Sequence, residues 1–389
     1  MYDFFVPTKV LFGAGKLNEL HMQEMPGKKA LLLMSNGKSA RRNGSFDRTA
    51  KELETAGCSY AVYDKIQANP LKDTVMDAAA FARENKCDFV VALGGGSVMD
   101  AAKAIASMAT NKGDLWDYVF GGTGKGKALV SPPLPIIAIT TTAGTGSEVD
   151  EYGVITNPVT HEKIGFGGDK RLFPVLAVVD PELMLTVPPA YTAYQGFDAL
   201  FHSTETYISK CANEMSDVVA TAAIKAVGRN LAAAVRNGLD LEARTQVAFG
   251  NTMSGYSMVV GSCTSEHSLE HAMSAFHQEL PHGAGLIMIS KAYYEFFIEK
   301  HVCDERFVEM AKMLGKENAD KPEDFIDALV RLQIDCGVHD LRMSDYGITE
   351  GEFEEMAKNA KFTMGGLFES DRCELTIEDC IEIYKKSFR

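Results

Sequence analysis

Residues 89–108 read FVVALGGGSVMDAAKAIASM, and the order of the parts decides the fold. Residues 89–93 form a short apolar run rich in valine, the pattern of a strand covered on both faces. Three glycines and Ser97 follow, and residues 98–108 continue at helical periodicity. A strand that delivers glycines to a helix N-terminus lets bare backbone N–H groups approach an anion, with the helix dipole adding partial positive charge. Asp100 falls in the first helical turn, where a carboxylate suits the dipole but would repel phosphate, so its contacts are expected with a hydroxyl or an amide. The spacing is not GxGxxG, and the Rossmann fingerprint does not apply. A tight strand-to-helix turn is the plainer reading of the same letters.

Outward from this stretch, residues 29–34 (KALLLM), 60–63, 135–139 (PIIAI) and 175–179 (VLAVV) read as further buried strands. Residues 48–56 and 71–85 read as helices between them. Strand and helix taking turns imply an α/β unit with a largely parallel sheet. Pro188-Pro189 breaks the pattern. Beyond it, residues 218–235, 241–260, 291–300 and 322–333 are helical in period. Two domains are therefore predicted, an α/β dinucleotide-binding domain over 1–188 and an all-helical domain over 189–389. A length of 389 residues suits about two to three domains.

Composition narrows the function classes. Lys plus Arg number 39 against 53 Asp plus Glu, a net charge of −14 that disfavours nucleic-acid or anionic-membrane partners. No run of about 18 apolar residues predicts a membrane span, and MYDFFVPTKV lacks the basic and apolar regions of a signal peptide. The eight cysteines are scattered with no CxxC pair, which favours a reducing, cytoplasmic setting over a disulfide framework.

A second loop, residues 140–148 (TTTAGTGSE), follows the PIIAI strand directly. Thr140, Thr141, Thr145 and Ser147 supply hydroxyls beside two glycines at the same edge of the sheet. Two such loops after parallel strands suit a dinucleotide at the strands' C-terminal ends. Residues 121–127 (GGTGKGK) fit GxxxxGK, but Ala128 stands where Ser or Thr should hold Mg²⁺ and no helix follows. That segment is expected to be a flexible loop.

Nine histidines are unevenly spread. Asp198 and His202 are four apart, which on a helix puts both side chains on one face. His267 and His271 are again four apart, with His277 and His282 shortly after. Imidazoles plus one carboxylate suit Zn²⁺ or Fe²⁺, although each histidine alone is more often a satisfied surface or core residue. His267-Ser268-Leu269-Glu270-His271 also spells HxxEH, the pattern of an inverted zinc peptidase. That reading leaves the glycine loops, Asp198 and His202 without a task.

Taken in order, PTKVLFGAGKL (7–17), GGGSVMDAAK (94–103), TTAGTGSE (141–148), DPELMLTVPP (180–189), GFDALFH (196–202) and PHGAG (281–285) resemble the iron-containing, group III alcohol dehydrogenases over nearly the whole chain. Butanol, lactaldehyde and 1,3-propanediol dehydrogenases are among them. The resemblance implies a dehydroquinate synthase-like fold, a small alcohol or aldehyde substrate and a homodimer. It implies Fe²⁺ or Zn²⁺ held by Asp198, His202, His267 and His282, with His271 as a catalytic histidine that is not a ligand. It places the pyrophosphate on Gly95, Gly96 and Ser97, with Asp100 nearby. Thr140, Thr141, Thr145 and Ser147 would line the phosphate and ribose path, and Asn69, Lys163 and Leu183 match further cofactor contacts. The metal would act as a Lewis acid on the alcohol oxygen while hydride passes to or from the nicotinamide, and His271 would shuttle the proton.

Two departures from the family pattern matter. His271 and His282 are eleven residues apart rather than ten, as in a subset of relatives, which leaves His277 as an extra histidine expected near the site and an understudy for the proton. NAD-preferring relatives carry an acidic residue after the first strand. This chain has Ser35-Asn36-Gly37-Lys38-Ser39 and then Arg41-Arg42, with no carboxylate until Asp47. Gly37, Lys38 and Ser39 can admit a 2′-phosphate that a carboxylate would repel, so NADP(H) is expected over NAD(H). A solvated basic loop is the bland alternative. Phe166, Tyr152, Phe197, Met253 and Phe276 suit an apolar pocket wall, or ordinary core.

Overall fold

A computed structural model describes residues 2–389. Eight strands come first: β1 (Lys9–Phe12), β2 (Lys29–Ser35), β3 (Ser59–Ile66), β4 (Phe89–Gly94), β5 (Ile136–Thr140), β6 (Gly153–Asn157), β7 (Glu162–Phe166) and β8 (Leu176–Val179). Six of them form one sheet in the order β1-β8-β5-β4-β2-β3, with every neighbouring pair parallel. Every residue of β4 is buried, as a central strand covered on both faces requires. Among them run α1 (Ser39–Arg42), α2 (Ser45–Thr55), α3 (Lys72–Glu84) and α4 (Gly96–Thr110). The parallel α/β expectation holds. β1 is too short to show a period, and the antiparallel hairpin β6–β7 is an addition that the alternation did not reveal.

The rest of the chain is helical: α5 (Pro189–Ile208), α6 (Glu214–Arg236), α7 (Leu241–Val260), α8 (Ser265–Phe276), α9 (His282–Glu299), α10 (Asp304–Met313), α11 (Glu323–Asp335), α12 (Phe353–Glu369) and α13 (Ile377–Ser387). Pro189 opens α5 at the first helical position, where its missing N–H costs nothing. Asn213 and Ser216 close a reciprocal capping box at the start of α6. Phe197, Phe201, Tyr294, Phe307 and Phe325 pack ring against ring in the centre of this half. Each such burial contributes about 1.5–3 kcal/mol. Phe197 is therefore core and not a pocket wall. α6 is long and apolar enough to pass for a membrane span, yet it packs its alanine-rich face on α5 and α7. All eight cysteines are free.

Residues 121–127 are not the flexible loop expected. Lys125 and Lys127 both pair with Asp117, at 2.7 and 3.0 Å, and Gly126 N–H donates to the Val119 carbonyl at 2.9 Å. Beneath the turn, Glu162 accepts from Trp116 Nε1 at 2.9 Å and from Thr123 Oγ1 at 2.6 Å. One carboxylate contributed by the hairpin thus ties the segment down.

Candidate metal and cofactor site

α5 carries Asp198 and His202 one turn apart, and α8 carries His267 and His271 in the same relation. His282 is the first residue of α9. These helices meet so that three imidazole nitrogens surround one carboxylate oxygen. Nε2 of His202, His267 and His282 lie 3.6, 3.5 and 3.5 Å from Asp198 Oδ1. Asp198 Oδ1 and His267 Nε2 are buried with no hydrogen-bond partner. Donor atoms about 3.5 Å apart are spaced as neighbouring ligands of a zinc ion at about 2.1 Å from each, and Asp198, His267 and His282 each offer an atom within 4.8 Å of the others. The donors therefore fit a divalent metal ion.

Electrostatics agrees with that fit. Burial raises Asp198, but His202 and His282 outweigh it and hold the carboxyl well below its ordinary value. Burial carries His202 down to about 3. For His267 burial works the same way, but the Glu205 carboxylate wins and pushes the imidazole up to about 10. Burial opposes ionisation of Glu270, yet His282 and Lys163 hold it at about 2. Burial, with Glu205 adding to it, raises Glu266 well above the ordinary carboxylate value. With the imidazoles neutral, as metal ligands must be, the carboxylates of Asp198, Glu205 and Glu270 against the ammonium of Lys163 would leave two negative charges in excess, the charge a divalent cation balances.

His271 lies beside the cluster with its ring centroid 5.3 Å from that of His282, its Nδ1 buried and unpartnered. Burial and Lys163 hold its pKa well below the ordinary value, so it is neutral. α8 ends at Phe276, and the His277 ring turns to Glu352 Oε1 at 2.9 Å. The expectation that it backs up His271 is corrected on that geometry. Glu270 accepts from Lys163 at 3.2 Å and also engages His282 and Ser274, so no free base stands in the HxxEH pattern.

The two glycine- and threonine-containing loops leave β4 and β5 side by side, with Thr141 N–H on the Gly94 carbonyl at 2.9 Å. They pack tightly: a Cβ on Gly95 would lie 2.7 Å from Thr142 Oγ1, and one on Gly96 would lie 2.7 Å from Thr145 Oγ1. Ser97 donates to the Ala68 carbonyl, and Asn69 reaches the helical half through the Gln278 carbonyl at 2.9 Å. Asp100 is buried beneath the loops and accepts from Ser147 Oγ at 2.7 Å and Val154 N at 2.9 Å; burial raises it to about 6. Ser147 in turn accepts from the buried Lys103 ammonium, and Thr140 donates to the Thr142 carbonyl at 2.8 Å. Thr145 Oγ1 takes the Ser147 N–H at 3.2 Å. Leu183 is buried in the turn after β8. Gly37 and Lys38 lie in the exposed turn after β2, and Ser39, also exposed, opens α1.

Sequence reading missed Glu205 and met Glu270 only as the glutamate of the HxxEH pattern. Glu205 is seven residues after Asp198 on α5, and Glu270 three after His267 on α8, so both share a face with the ligand candidates. That shared face was the signal available.

Glycine-lined turns at the edge of a parallel sheet, joined to a buried cluster of three imidazoles and a carboxylate, are the parts of a metal-dependent dehydrogenase. Comparison with known proteins gives the family. The sequence model for iron-containing alcohol dehydrogenase matches residues 7–181, and that for the Fe-containing alcohol dehydrogenase family, C-terminal, matches 192–388. A 1,3-propanediol dehydrogenase from Klebsiella pneumoniae is 34% identical over 369 residues, 92% of each chain. NADH-dependent butanol dehydrogenase A from Clostridium acetobutylicum is 30% identical over 100% of this chain and 99% of its own. The crystal structure of an archaeal halo-thermophilic alcohol dehydrogenase from a Red Sea brine pool superposes with a TM-score of 0.94 at 33% identity, covering 100% of this chain and 99% of that one. The chain belongs to the iron-containing alcohol dehydrogenase family and is an oxidoreductase of the alcohol dehydrogenase class. Membership implies a metal, a nicotinamide nucleotide of the NAD(H) type and a small alcohol or aldehyde substrate.

Proposed function

We propose that this enzyme interconverts short- to medium-chain primary alcohols and aldehydes with NADP(H), using Fe²⁺ or Zn²⁺ held by Asp198, His202, His267 and His282. The observation that carries the metal assignment is the convergence of three Nε2 atoms on Asp198 Oδ1. When bound, the metal supplies Lewis acidity toward the alcohol or aldehyde oxygen and the nucleotide supplies the hydride couple. Asp198 brings the one negative charge among the four donors. His271, neutral and with Nδ1 free, accepts the hydroxyl proton during oxidation and returns it during reduction. Gly95, Gly96, Ser97, Thr141 and Thr145 take the pyrophosphate at the sheet edge, while Asp100, Thr140 and Ser147 hold that edge in shape from below. Asn69, Lys163 and Leu183 complete the cofactor side.

The preference for NADP(H) rests on the loop after β2. Gly37, Lys38 and Ser39 are exposed, and Asp64 at the end of β3 is bound by Arg41 at 2.9 Å, which leaves the loop without a free acid there. This separates the chain from the Clostridium relative, whose name specifies NADH. A diol or hydroxy-aldehyde is the second substrate reading, favoured by the name of the Klebsiella relative. Residues 1–188 and 189–389 are proposed as the two domains; the strands end at Val179, and the two family models meet between 181 and 192. A cytoplasmic homodimer, with no nucleic-acid or membrane partner, completes the reading.

Chelator-treated protein, assayed with butanal and either NADPH or NADH before and after adding Fe²⁺ or Zn²⁺, tests it. Activity is expected only with metal and more strongly with NADPH. Metal-dependent activity confined to NADH would overturn the reading of Gly37 to Ser39 alone. Reduction of 3-hydroxypropanal in preference to butanal would establish the diol reading.

A further inference from the structure

Behind two of the four proposed ligands stands a buried carboxylate that the chemistry above leaves unused. Glu205 engages His267 at Nδ1, and Glu270 engages His282 at Nδ1. We propose that Glu205 and Glu270 are positioning residues that fix the tautomer and aim of His267 and His282 and so set the affinity of the metal site. The inference rests on the assignment of the four ligands.

A neutral imidazole has one N–H and one lone pair. A carboxylate facing Nδ1 can only accept, so it holds the proton there and leaves the lone pair on Nε2. In both histidines Nε2 is the atom 3.5 Å from Asp198 Oδ1. The two carboxylates thereby turn both lone pairs toward one point. Each is itself pinned. Glu205 also accepts from Thr264 N–H at 2.8 Å and Thr264 Oγ1 at 3.0 Å, at the N-cap of the helix that carries His267. Glu270 is gripped by Ser274 and by Lys163 of β7, the latter at 3.2 Å. The PHGAG segment makes room for it: a Cβ on Gly285 would lie 2.7 Å from Glu270 Cγ and 2.9 Å from Oε1. Both glutamates are fully buried; His267 is buried with its partner, while the His282 side chain is 23% exposed.

The test measures metal affinity rather than turnover. Metal-free wild type, Glu205→Gln and Glu270→Gln are titrated with Zn²⁺ against a chromophoric chelator, with His202→Ala as the ligand control. Each glutamine variant keeps the side-chain shape and loses the charge, and each is expected to bind one Zn²⁺ about 10–100-fold more weakly. Wild-type affinity in both glutamine variants would overturn the proposal. A His202→Ala protein that binds as tightly as wild type would instead overturn the ligand assignment beneath it. Should a glutamine variant fail to fold, histidine-selective ¹⁵N NMR of Zn²⁺-loaded wild type decides. Nδ1–H with Nε2 toward the metal is expected for both rings, and an unprotonated Nδ1 in either refutes the role of its glutamate.

Discussion

Gly96→Ala puts the packing of the two loops to a quantitative test. Gly96 begins α4 with an ordinary helical backbone, so alanine meets no torsional strain there. Its Cβ would instead lie 2.7 Å from Thr145 Oγ1, 2.9 Å from Thr145 Cβ and closer still to Thr145 Cγ2. All three are atoms of one side chain. Overpacking of this kind costs about 1–3 kcal/mol, offset by roughly 0.5–1 kcal/mol for replacing glycine in a helix. Thr145→Gly removes all three atoms, at the cost of the hydrogen bond from Ser147 N–H, worth about 0.5–1.5 kcal/mol, and of a freer loop backbone. The double variant should therefore be more stable than the sum of the single effects by about 1–3 kcal/mol, well above the scatter of independent sites. Urea unfolding at 25 °C followed by circular dichroism measures all four proteins. A coupling below about 0.5 kcal/mol would refute the packing argument. NADPH fluorescence titration adds the functional arm. A double variant that regains stability while binding NADPH at least about tenfold more weakly shows that the bare backbone also serves the phosphate. Recovery of both assigns the glycine to loop contact alone.

Gly37→Asp places a carboxylate where the 2′-phosphate is expected, and should lower the NADPH-to-NADH ratio of kcat/KM by at least about tenfold; an unchanged ratio removes the loop from cofactor choice. His202→Ala should lose metal and activity together, whereas His271→Ala should keep the metal, as read by elemental analysis, and lower turnover by about 10²–10⁴-fold. Full metal content in the first or a wild-type rate in the second would reject the assigned role. Asp371, buried against Ser265 N–H and Tyr293, is raised from 3.8 to about 7 chiefly by burial. Because the folded state holds this proton more tightly than the unfolded chain, the contribution to stability is full below pH 3.8 and is lost as pH rises through about 7. Asp371→Asn should flatten the fall in urea midpoint between those pH values, and an identical slope in the variant would show that another group governs it.

The parallel sheet was legible because its central strands are apolar throughout, and β2, β4 and β5 lie within one residue of the runs that announced them. The hairpin β6–β7 was not, because GVITN and EKIGF mix glycine and charge with apolar residues, and the pairing that makes them strands is not local. α9 starts at His282, well before the expected residue 291, since the glycines of PHGAG read as loop while helix–helix contact makes them helical. Within the site, the i,i+4 spacings pointed to Asp198, His202, His267 and His271. Glu205 escaped because a helical glutamate is ordinarily a solvated one, and Glu270 was visible only as part of HxxEH; the tertiary contact with Nδ1 is what distinguishes both. His277 misled in the opposite direction. Its place between two ligand candidates suggested proximity, but the end of α8 at Phe276 turns its ring to Glu352.

Glu270 also shows why the metal cluster and the cofactor edge belong to one device. Its carboxylate meets His282 of the helical half and Lys163 of the hairpin in the α/β half, while Asn251 of α7 receives Gly146 N–H of the threonine loop at 2.9 Å. Asn251 donates in turn to Glu148 at 2.8 Å, and Asn69 reaches the Gln278 carbonyl from the opposite direction. Polar links thus cross between the halves, and the one through Lys163 ends on a residue that aims a ligand candidate. An isolated helical half would keep all four donors but lose that ammonium, leaving three carboxylates around the cluster and Glu270 held on one side only. The excess charge would attract any dication, while the aim of His282 would loosen. Lys163 therefore does two things at once: it offsets part of the negative charge around the imidazoles and it steadies the carboxylate that faces His282.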